Sequence, residues 1–282
     1  MSLEIFLIVL AAAAMHAGWN ACVKVKLDPL LAMAMIQFTA GIFAVPALLM
    51  TGLPRAEAWP WLVGSLMLHL GYCIGLAEAY RRADMSQIYP MARGSAPLLT
   101  MAAALTLFGE RLSPLQFVAI GLLGVGIMLI SALGRRRGTA FDPVALGFAG
   151  FTAVMISGYT LVDGLGARAA GDPHAYSAAL FVIDALPLIA FAVLRRGGKP
   201  ALTAMRPFWL QGAAGGLLAL GAYWIAIWAM TVAPIPLVAA VRESSVLFAA
   251  LIAYLWLKEP LQASRLVACG CIVAALALMR LA

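Results

Sequence analysis

Long apolar runs recur from one end of the chain to the other, and they constrain the fold more than any other feature. Ten stretches of about 20 residues are nearly free of charge, and a helix of that length crosses the hydrocarbon of a bilayer. They cover residues 3–23, 30–50, 60–80, 87–108, 114–133, 143–163, 175–194, 207–229, 236–257 and 261–280. We therefore expect an all-α membrane protein with ten transmembrane helices.

The composition is incompatible with a soluble fold. The 282 residues are 64% hydrophobic and 11% charged, whereas soluble domains carry about 25% charged residues. No stretch alternates polar and apolar residues over the length of a barrel strand, so strands are not expected. The first residues lack the basic segment of a signal peptide, so we expect residues 3–23 to remain as the first helix.

One sequence pattern occurs twice, in residues 87–121 and in residues 236–270. The identical pairs in a gap-free alignment include Arg93/Arg242, Ser95/Ser244, Leu98/Leu247, Ala104/Ala253, Glu110/Glu259, Leu112/Leu261 and Gly121/Gly270. Each copy places one arginine within an apolar run and ends the run with a glutamate. An internal repeat of this kind is typical of secondary transporters.

The ten predicted spans divide into two sets of five. We predict a first repeat over residues 1–134, a basic linker over 135–142 and a second repeat over 143–282. Because each repeat has an odd number of spans, the second would enter the membrane from the opposite side. The sequence therefore predicts an inverted-topology pair.

Three elements of the sequence resemble the EamA family of the drug/metabolite transporter superfamily. They are the paired five-helix halves, the repeated Gly109-Glu110-Arg111-Leu112 and Lys258-Glu259-Pro260-Leu261, and the opening His16-Ala17-Gly18-Trp19-Asn20. The resemblance covers nearly the whole chain. It implies a proton-linked or exchange-type carrier, often an exporter, of amino acids, metabolites or drugs, with both termini in the cytoplasm.

Basic residues concentrate on one side of the predicted membrane. The connections after spans 1, 3, 5, 7 and 9 carry Lys24, Lys26, Arg81, Arg82, Arg135, Arg136, Arg137, Arg195, Arg196, Lys199, Arg206 and Lys258. The opposite side carries Arg55, Arg111, Arg168 and Arg280. By the positive-inside rule, this asymmetry favours both termini outside the cytoplasm, which is the reverse of what the resemblance implies.

The two repeated arginines are the main candidates for substrate binding. A charge within a span costs about 2.5–3.5 kcal/mol on insertion scales, so it marks function or a structural ion pair. Arg93 and Arg242 could hold a carboxylate or phosphate-like group, for which the guanidinium fork is well suited. Tyr89 precedes Arg93 by one helical turn and shares its face. The alternative is that both arginines only form ion pairs with acids on other helices.

Three further residues are candidates for proton coupling. Asp184 lies near the middle of the seventh span, where a carboxyl group either takes up a proton or forms a salt bridge with Arg93 or Arg242. Glu243 follows Arg242 directly, at about 100° around a helix, and could instead neutralise one of the arginines. His16 is the third candidate, although a lone histidine in an apolar helix is more often a packing residue.

Aromatic and amide side chains in three spans predict an orienting pocket for a polar ligand. Trp19 and Asn20 come from the first span, Tyr159 from the sixth and Trp224 from the eighth. The repeated Glu110 and Glu259 precede helix starts, and we attribute them to the helix dipole rather than to the substrate site.

These features favour a secondary active transporter, an exporter of a small anionic or zwitterionic metabolite such as an amino acid, an organic acid or a phosphonate-like compound. Its partners would be that small molecule and the lipid bilayer, with no nucleic acid, in the bacterial inner membrane, as a monomer or homodimer. The sequence lacks H-E-x-x-H and G-x-S-x-G motifs, so we expect no enzyme activity, metal or cofactor. A non-transporting lipid-binding or scaffold protein is the alternative, and a membrane-embedded enzyme is a weaker one.

Overall fold

The computed structural model describes residues 1–23, 26–82, 85–133, 142–255 and 263–281, without the side chains of 77, 80, 85–90, 130–133, 253, 255 and 263–265. Every regular element within these ranges is helical, and they contain no strand. The helices are α1 (Leu3–Val23), α2 (Pro29–Thr51), α3 (Trp59–Tyr80), α4 (Met85–Leu107), α5 (Pro114–Leu133), α6 (Pro143–Ala169), α7 (Pro173–Arg195), α8 (Lys199–Met205), α9 (Trp209–Val232), α10 (Ile235–Arg242), α11 (Ser245–Leu255) and α12 (Ala263–Leu281).

The chain is a multi-pass integral membrane protein. Seven stretches of the described residues are long and apolar enough to cross a membrane: Leu3–Val23, Pro29–Thr51, Ala56–Leu76, Pro143–Ala169, Pro173–Arg195, Lys199–Val232 and Ile235–Ile252. Two shorter apolar stretches, Pro114–Leu129 and Leu266–Leu281, match the fifth and tenth predicted spans. The all-helical membrane architecture is thus confirmed, while the count of ten crossings stays a prediction.

Aspartate-proline pairs start three of the long helices. The side chains of Asp28, Asp142 and Asp172 each accept a hydrogen bond from a backbone N–H in the first turn, and proline occupies the first helical position. This arrangement satisfies a donor that the helix leaves open, and proline has no donor to lose there. These side-chain caps therefore fix where α2, α6 and α7 begin.

A reciprocal pair of hydrogen bonds starts α5. The backbone N–H of Ser113 donates to Gln116 Oε1 at 3.0 Å, and the backbone N–H of Gln116 donates to Ser113 Oγ at 3.2 Å. This is a capping box. Glu110 does not contribute to this cap, because its carboxylate binds Arg168, as described below.

The helix packing has the symmetry of the two halves, because each main contact either joins two equivalent helices or has an equivalent contact elsewhere. α2 packs against α7 and α5 against α12, and each of these pairs joins equivalent helices. α3 packs against α6 just as α1 packs against α9. The interior is therefore built jointly by the two halves and does not divide into two separate cores.

Glycines bring two of these helices, α7 and α9, into close contact with α2. A Cβ placed on Gly41 of α2 would lie 2.8 Å from the carbonyl oxygen of Phe181 in α7. A Cβ on Gly216 of α9 would lie 2.8 Å from the backbone of α2. Thr39 of α2 also donates a hydrogen bond to the carbonyl of Gly212 in α9, at 2.8 Å. Small residues thus place α2 against both α7 and α9 with backbones nearly touching.

Candidate functional site

A cavity of about 110 Å³ lies between the two halves of the molecule. Its polar and aromatic lining residues are His16, Trp19, Gln37, His69, Tyr72, Cys73, Arg93, Tyr159, Phe181, Asp184, Tyr223 and Arg242. α1 to α4 of the first half and α6, α7, α9 and α10 of the second half all contribute to the wall. A concave site at the junction of two repeats is the usual position for a transported ligand.

The cavity lies toward the face of the bundle that carries most of the basic residues. α1 contributes residues near its end, α2 contributes residues near its beginning, and α7 contributes residues from its middle onward. The parts of α1 and α2 adjoin the connection that contains Lys26, and α7 ends at Arg195 and is followed by Arg196. We call this side of the molecule the basic face.

On the face of the bundle opposite the basic face, Arg168 forms hydrogen bonds to two other segments of the chain. Its Nη1 lies 2.6 Å from Glu110 Oε1, its Nε donates to the carbonyl of Met230 at 2.9 Å, and its Nη2 donates to the carbonyl of Ala233 at 3.2 Å. One side chain at the end of α6 therefore joins the α4–α5 connection to the turn between α9 and α10. This also gives the repeated Glu110 a specific partner that sequence reasoning missed.

Arg93 forms a buried ion pair with Glu243. The Nε atom of Arg93 donates to Glu243 Oε2 at 2.8 Å, and both residues are only 1% exposed. The two residues come from different halves, on α4 and just after α10. Because charge-assisted hydrogen bonds are strong where water is absent, this pair joins the halves beside the cavity.

Arg242 has no equally close carboxylate. Its Nη2 lies 3.4 Å from Thr160 Oγ1, its guanidinium carbon lies 5.3 Å from the ring centre of Tyr223, and its Nε lies 4.0 Å from Glu243 Oε1. The buried Nε has no hydrogen-bond partner among the residues that the structure describes. Arg242 thus presents a cation and an unsatisfied donor at the cavity wall.

The ninth predicted span is interrupted beside this arginine. α10 ends at Arg242, a turn follows, and α11 begins at Ser245, whereas the sequence predicted one continuous helix. The matching α4 runs on through Gly94, which stands at the position of Glu243. The predicted continuous helix is therefore broken after Arg242, while Glu243 keeps a helical backbone conformation as the C-cap of α10.

Asp184 is bound by an amide and an imidazole and not by an arginine. Its Oδ2 accepts a hydrogen bond from Gln37 Nε2 at 3.2 Å and lies 3.3 Å from His69 Nδ1. The same nitrogen of His69 lies 3.3 Å from Ser65 Oγ, and the ring stacks on Tyr159 with 4.3 Å between centres. The salt bridge to Arg93 or Arg242, one of the two predicted arrangements, is absent among the described contacts of Asp184.

His16 and Trp19 form a hydrogen-bonded pair at the cavity wall. Trp19 Nε1 donates to His16 Nδ1 at 3.1 Å, while His16 Nε2 is buried with no partner in the described part of the chain. Asn20 is not among the lining residues, and its amide donates to the backbone carbonyl of His16 at 2.8 Å.

A second buried carboxylate supports the wall from behind. Asp163 is fully buried and accepts hydrogen bonds from the hydroxyl groups of Tyr176, at 2.9 Å, and of Tyr223. The ring of Tyr223 in turn lies beneath Arg242. Asp163 therefore fixes the aromatic surface on which the cation rests.

Trp224, another predicted ligand residue, is not among the described lining residues of the cavity. Trp224 Nε1 donates to His174 Nδ1 at 2.9 Å and its ring stacks on that histidine, away from the lining residues. The side chain of Tyr89 lies outside the described residues. Among the described residues, no group of His, Cys, Asp and Glu is arranged to hold a metal ion.

Sequence reasoning did not select Gln37 and His69 for the site, although both are polar residues within apolar spans. A lone amide or imidazole in a helix gives no indication of its partner. Their common contact with Asp184 joins residues that are far apart in the chain, and only the packing of α2 and α3 against α7 reveals it.

This chain matches a known protein family in sequence and a solved structure in fold. The model of the EamA-like transporter family matches residues 2–132 and residues 145–281, once for each half. A solved structure described as "Crystal structure of protein" has 20% sequence identity and a TM-score of 0.76, over 99% of this chain and 96% of that chain. At that identity the likeness shows a shared fold alone. No curated protein matches the sequence.

Proposed function

Because this chain belongs to the EamA-like transporter family, we propose that it is a secondary active transporter that exports a small anionic or zwitterionic metabolite. The candidate classes are amino acids, organic acids and phosphonate-like compounds. The substrate binds between the halves, which then rock so that the site opens to each side of the membrane in turn. We place the protein in the bacterial inner membrane, where the distribution of basic residues favours both termini outside the cytoplasm.

One observation carries this proposal. The cavity is lined by two arginines that occupy matching positions in the two halves, Arg93 and Arg242. Both are nearly inaccessible to water, at 1% and 3% exposure. Buried guanidinium groups at the junction of two repeats are costly unless they serve binding or pairing, and a cavity beside them supports binding.

We assign the direct contact with the anionic group to Arg242. Its Nε has no described partner and its nearest carboxylate oxygen lies 4.0 Å away, whereas Arg93 already donates to Glu243 at 2.8 Å. An incoming carboxylate or phosphate would supply the missing acceptor. Arg93 and Glu243 then serve as a neutral pair that holds the floor of the cavity.

The aromatic side chains set the shape of the ligand site. Tyr159, Tyr223 and His69 contact one another through stacked and edge-to-face rings, and Trp19 faces the cavity from α1. Such rings present rigid apolar surfaces with a few polar edges. A compact ligand with one planar or apolar part and one anionic end fits this wall best.

Transport by purified protein in proteoliposomes tests the proposal. A panel of labelled amino acids, organic acids and phosphonates identifies the transported class, and the Arg242→Ala variant should then lose at least about tenfold in transport, equivalent to 1.4 kcal/mol. Arg242→Lys should retain only part of it, because an ammonium group cannot reproduce the guanidinium fork.

Arg81→Ala is the matched control, since Arg81 is an exposed arginine on the basic face that forms an ion pair with Glu78 of the same segment. It should transport at the unaltered rate. If Arg242→Ala transported as well as Arg81→Ala, the assignment of the anion site to Arg242 would be wrong. If no anionic or zwitterionic compound were moved, the substrate class would be wrong.

A further inference from the structure

We infer that Asp184 and His69 share one proton and form the proton-binding site of the cavity, with Gln37 as the side chain that responds to its loss. This inference rests on the proposed transport function and selects one site from the candidates for proton coupling. The three residues lie on three different helices, α7, α3 and α2.

The geometry gives a shared proton two places to reside. Asp184 Oδ2 and His69 Nδ1 lie 3.3 Å apart, close enough for the proton to sit on either atom. If the proton is on Oδ2, the carboxyl donates to the neutral imidazole. If it moves to Nδ1, the imidazolium donates to a carboxylate, which also accepts from Gln37 Nε2 at 3.2 Å.

Ser65 allows both arrangements. Its Oγ lies 3.3 Å from His69 Nδ1 and can accept a hydrogen bond or donate one. The hydroxyl therefore accepts from the nitrogen when the proton is on Nδ1, and it leaves the single lone pair of the nitrogen to the carboxyl group when the proton is on Oδ2.

The other candidates are engaged elsewhere. The carboxylate of Glu243 accepts from Arg93 at 2.8 Å, so protonating it would leave a buried guanidinium without its counter-charge. The Nδ1 of His16 already accepts from Trp19. Asp184 and Asp163 both accept from uncharged donors, but Asp163 is held by two tyrosine hydroxyl groups, whereas Asp184 lies beside an imidazole nitrogen that can take the proton in turn.

The balance of buried charge also requires one proton. Beside the cavity, the described buried residues include the arginines Arg93 and Arg242 and the carboxyl groups of Asp163, Asp184 and Glu243. Carboxylates thus exceed guanidinium groups by one. An uncompensated charge in a low-dielectric interior is strongly unfavourable, so one of these three carboxyl groups holds a proton.

Several of the helices packed around this site present titratable or charged groups to it. They are His16 on α1, Tyr72 and Cys73 on α3, Arg93 on α4, Tyr159 and Asp163 on α6, Tyr223 on α9, and Arg242 with the adjoining Glu243 on α10. The two arginines favour proton release from the pair, and the two carboxylates oppose it.

Loss of the proton changes the connection between α2 and α7. The hydrogen bond from Gln37 to Asp184 is charge-assisted only when Asp184 is ionised, and such bonds are about twice as strong as neutral ones. α2 and α7 are equivalent helices that pack against each other at the centre of the molecule. The protonation state is therefore transmitted directly to the contact between the halves.

Infrared difference spectroscopy of the purified protein in nanodiscs, titrated with acid, tests the inference without any substrate. We expect the carbonyl band of one buried carboxylic acid to titrate in the unaltered protein and to be absent in Asp184→Asn. His69→Gln and Gln37→Leu should keep the band but shift the pH at which it appears. Asp163→Asn should retain the band, which distinguishes a protonated Asp184 from the other buried aspartate beside the cavity.

A band that persists in Asp184→Asn, or a midpoint that does not move in His69→Gln, would overturn the inference. The His69 and Gln37 variants carry the test even if Asp184→Asn does not fold. Because no transport is needed, a failed uptake assay would refute the proposed function and leave this result standing, and the reverse also holds.

Discussion

At the residue scale, Arg93 and Arg242 show how matching positions can acquire different roles. Both are buried, but Glu243 forms its close hydrogen bond with Arg93, at 2.8 Å, and lies 4.0 Å from Arg242, which precedes it in the chain. The position that corresponds to Glu243 in the first half is Gly94, which has no charge to offer Arg242. The repeat therefore duplicates the arginine but not the glutamate. One glutamate pairs with Arg93, and Arg242 remains to bind the ligand.

The Arg93–Glu243 pair gives a stability prediction. Glu243→Gln removes the counter-charge of a buried guanidinium, and breaking a buried pair in this way costs about 3–5 kcal/mol. We expect a large loss of thermal stability in detergent. The double variant Arg93→Leu/Glu243→Leu leaves no uncompensated charge and should be more stable than Glu243→Gln.

The thermal unfolding midpoints of Glu243→Gln, of the double variant and of the unaltered protein, measured in the same detergent, test this prediction. Equal midpoints for Glu243→Gln and the unaltered protein would show that Arg93 does not depend on Glu243.

At the scale of the elements, the sequence predicted helix starts well and tertiary partners poorly. The Asp28, Asp142 and Asp172 caps with their following prolines could be read directly, because a cap is a local interaction. The break between α10 and α11 could not, because nothing in the sequence around Glu243 disfavours a helix. The break coincides with the contact of Glu243 with Arg93 on another helix.

The same reasoning accounts for the candidate site. Arginines and Asp184 stand out in apolar spans because they are costly there, and the structure places them around one cavity. Gln37 and His69 carry no such signal, and their role follows only from contacts between distant helices. Trp224 is the opposite case. The sequence suggested it as a ligand residue, but its indole donates a hydrogen bond to His174.

The contact between α2 and α9 gives a prediction at this scale. Gly216→Ala places a methyl group against the backbone of α2, and overpacking of this kind costs about 1–3 kcal/mol. Gly147→Ala is the matched control, because a methyl group there meets nothing within 4 Å. We expect thermal unfolding to occur at a lower temperature only in the Gly216 variant.

Equal unfolding temperatures for the two alanine variants would contradict the close approach of α2 and α9. The comparison is informative because both substitutions remove a helical glycine and share the same change in intrinsic helix propensity.

At the scale of the whole molecule, the two faces of the bundle are held differently. Arg168 joins three segments on the face away from the cavity. On the basic face, Arg196 pairs with Asp28 at 2.8 Å and Arg195 pairs with Glu78 at 3.4 Å, and these pairs are more exposed. Exposed pairs contribute about 0–1 kcal/mol, so the basic face is the more easily opened of the two.

The central claim is that substrate binds in the cavity between the halves, and labelling of Cys73 tests it most directly. Cys73 lines the cavity beside Asp184, and replacing Cys22, Cys269 and Cys271 with serine leaves it as the sole thiol in the sequence. The rate of its reaction with a membrane-impermeant thiol reagent is measured in vesicles, with and without a saturating transported compound. We predict that the transported compound slows the reaction at least about tenfold, since a bound ligand occupies the space beside the thiol. An unchanged labelling rate in the presence of that compound would contradict the account.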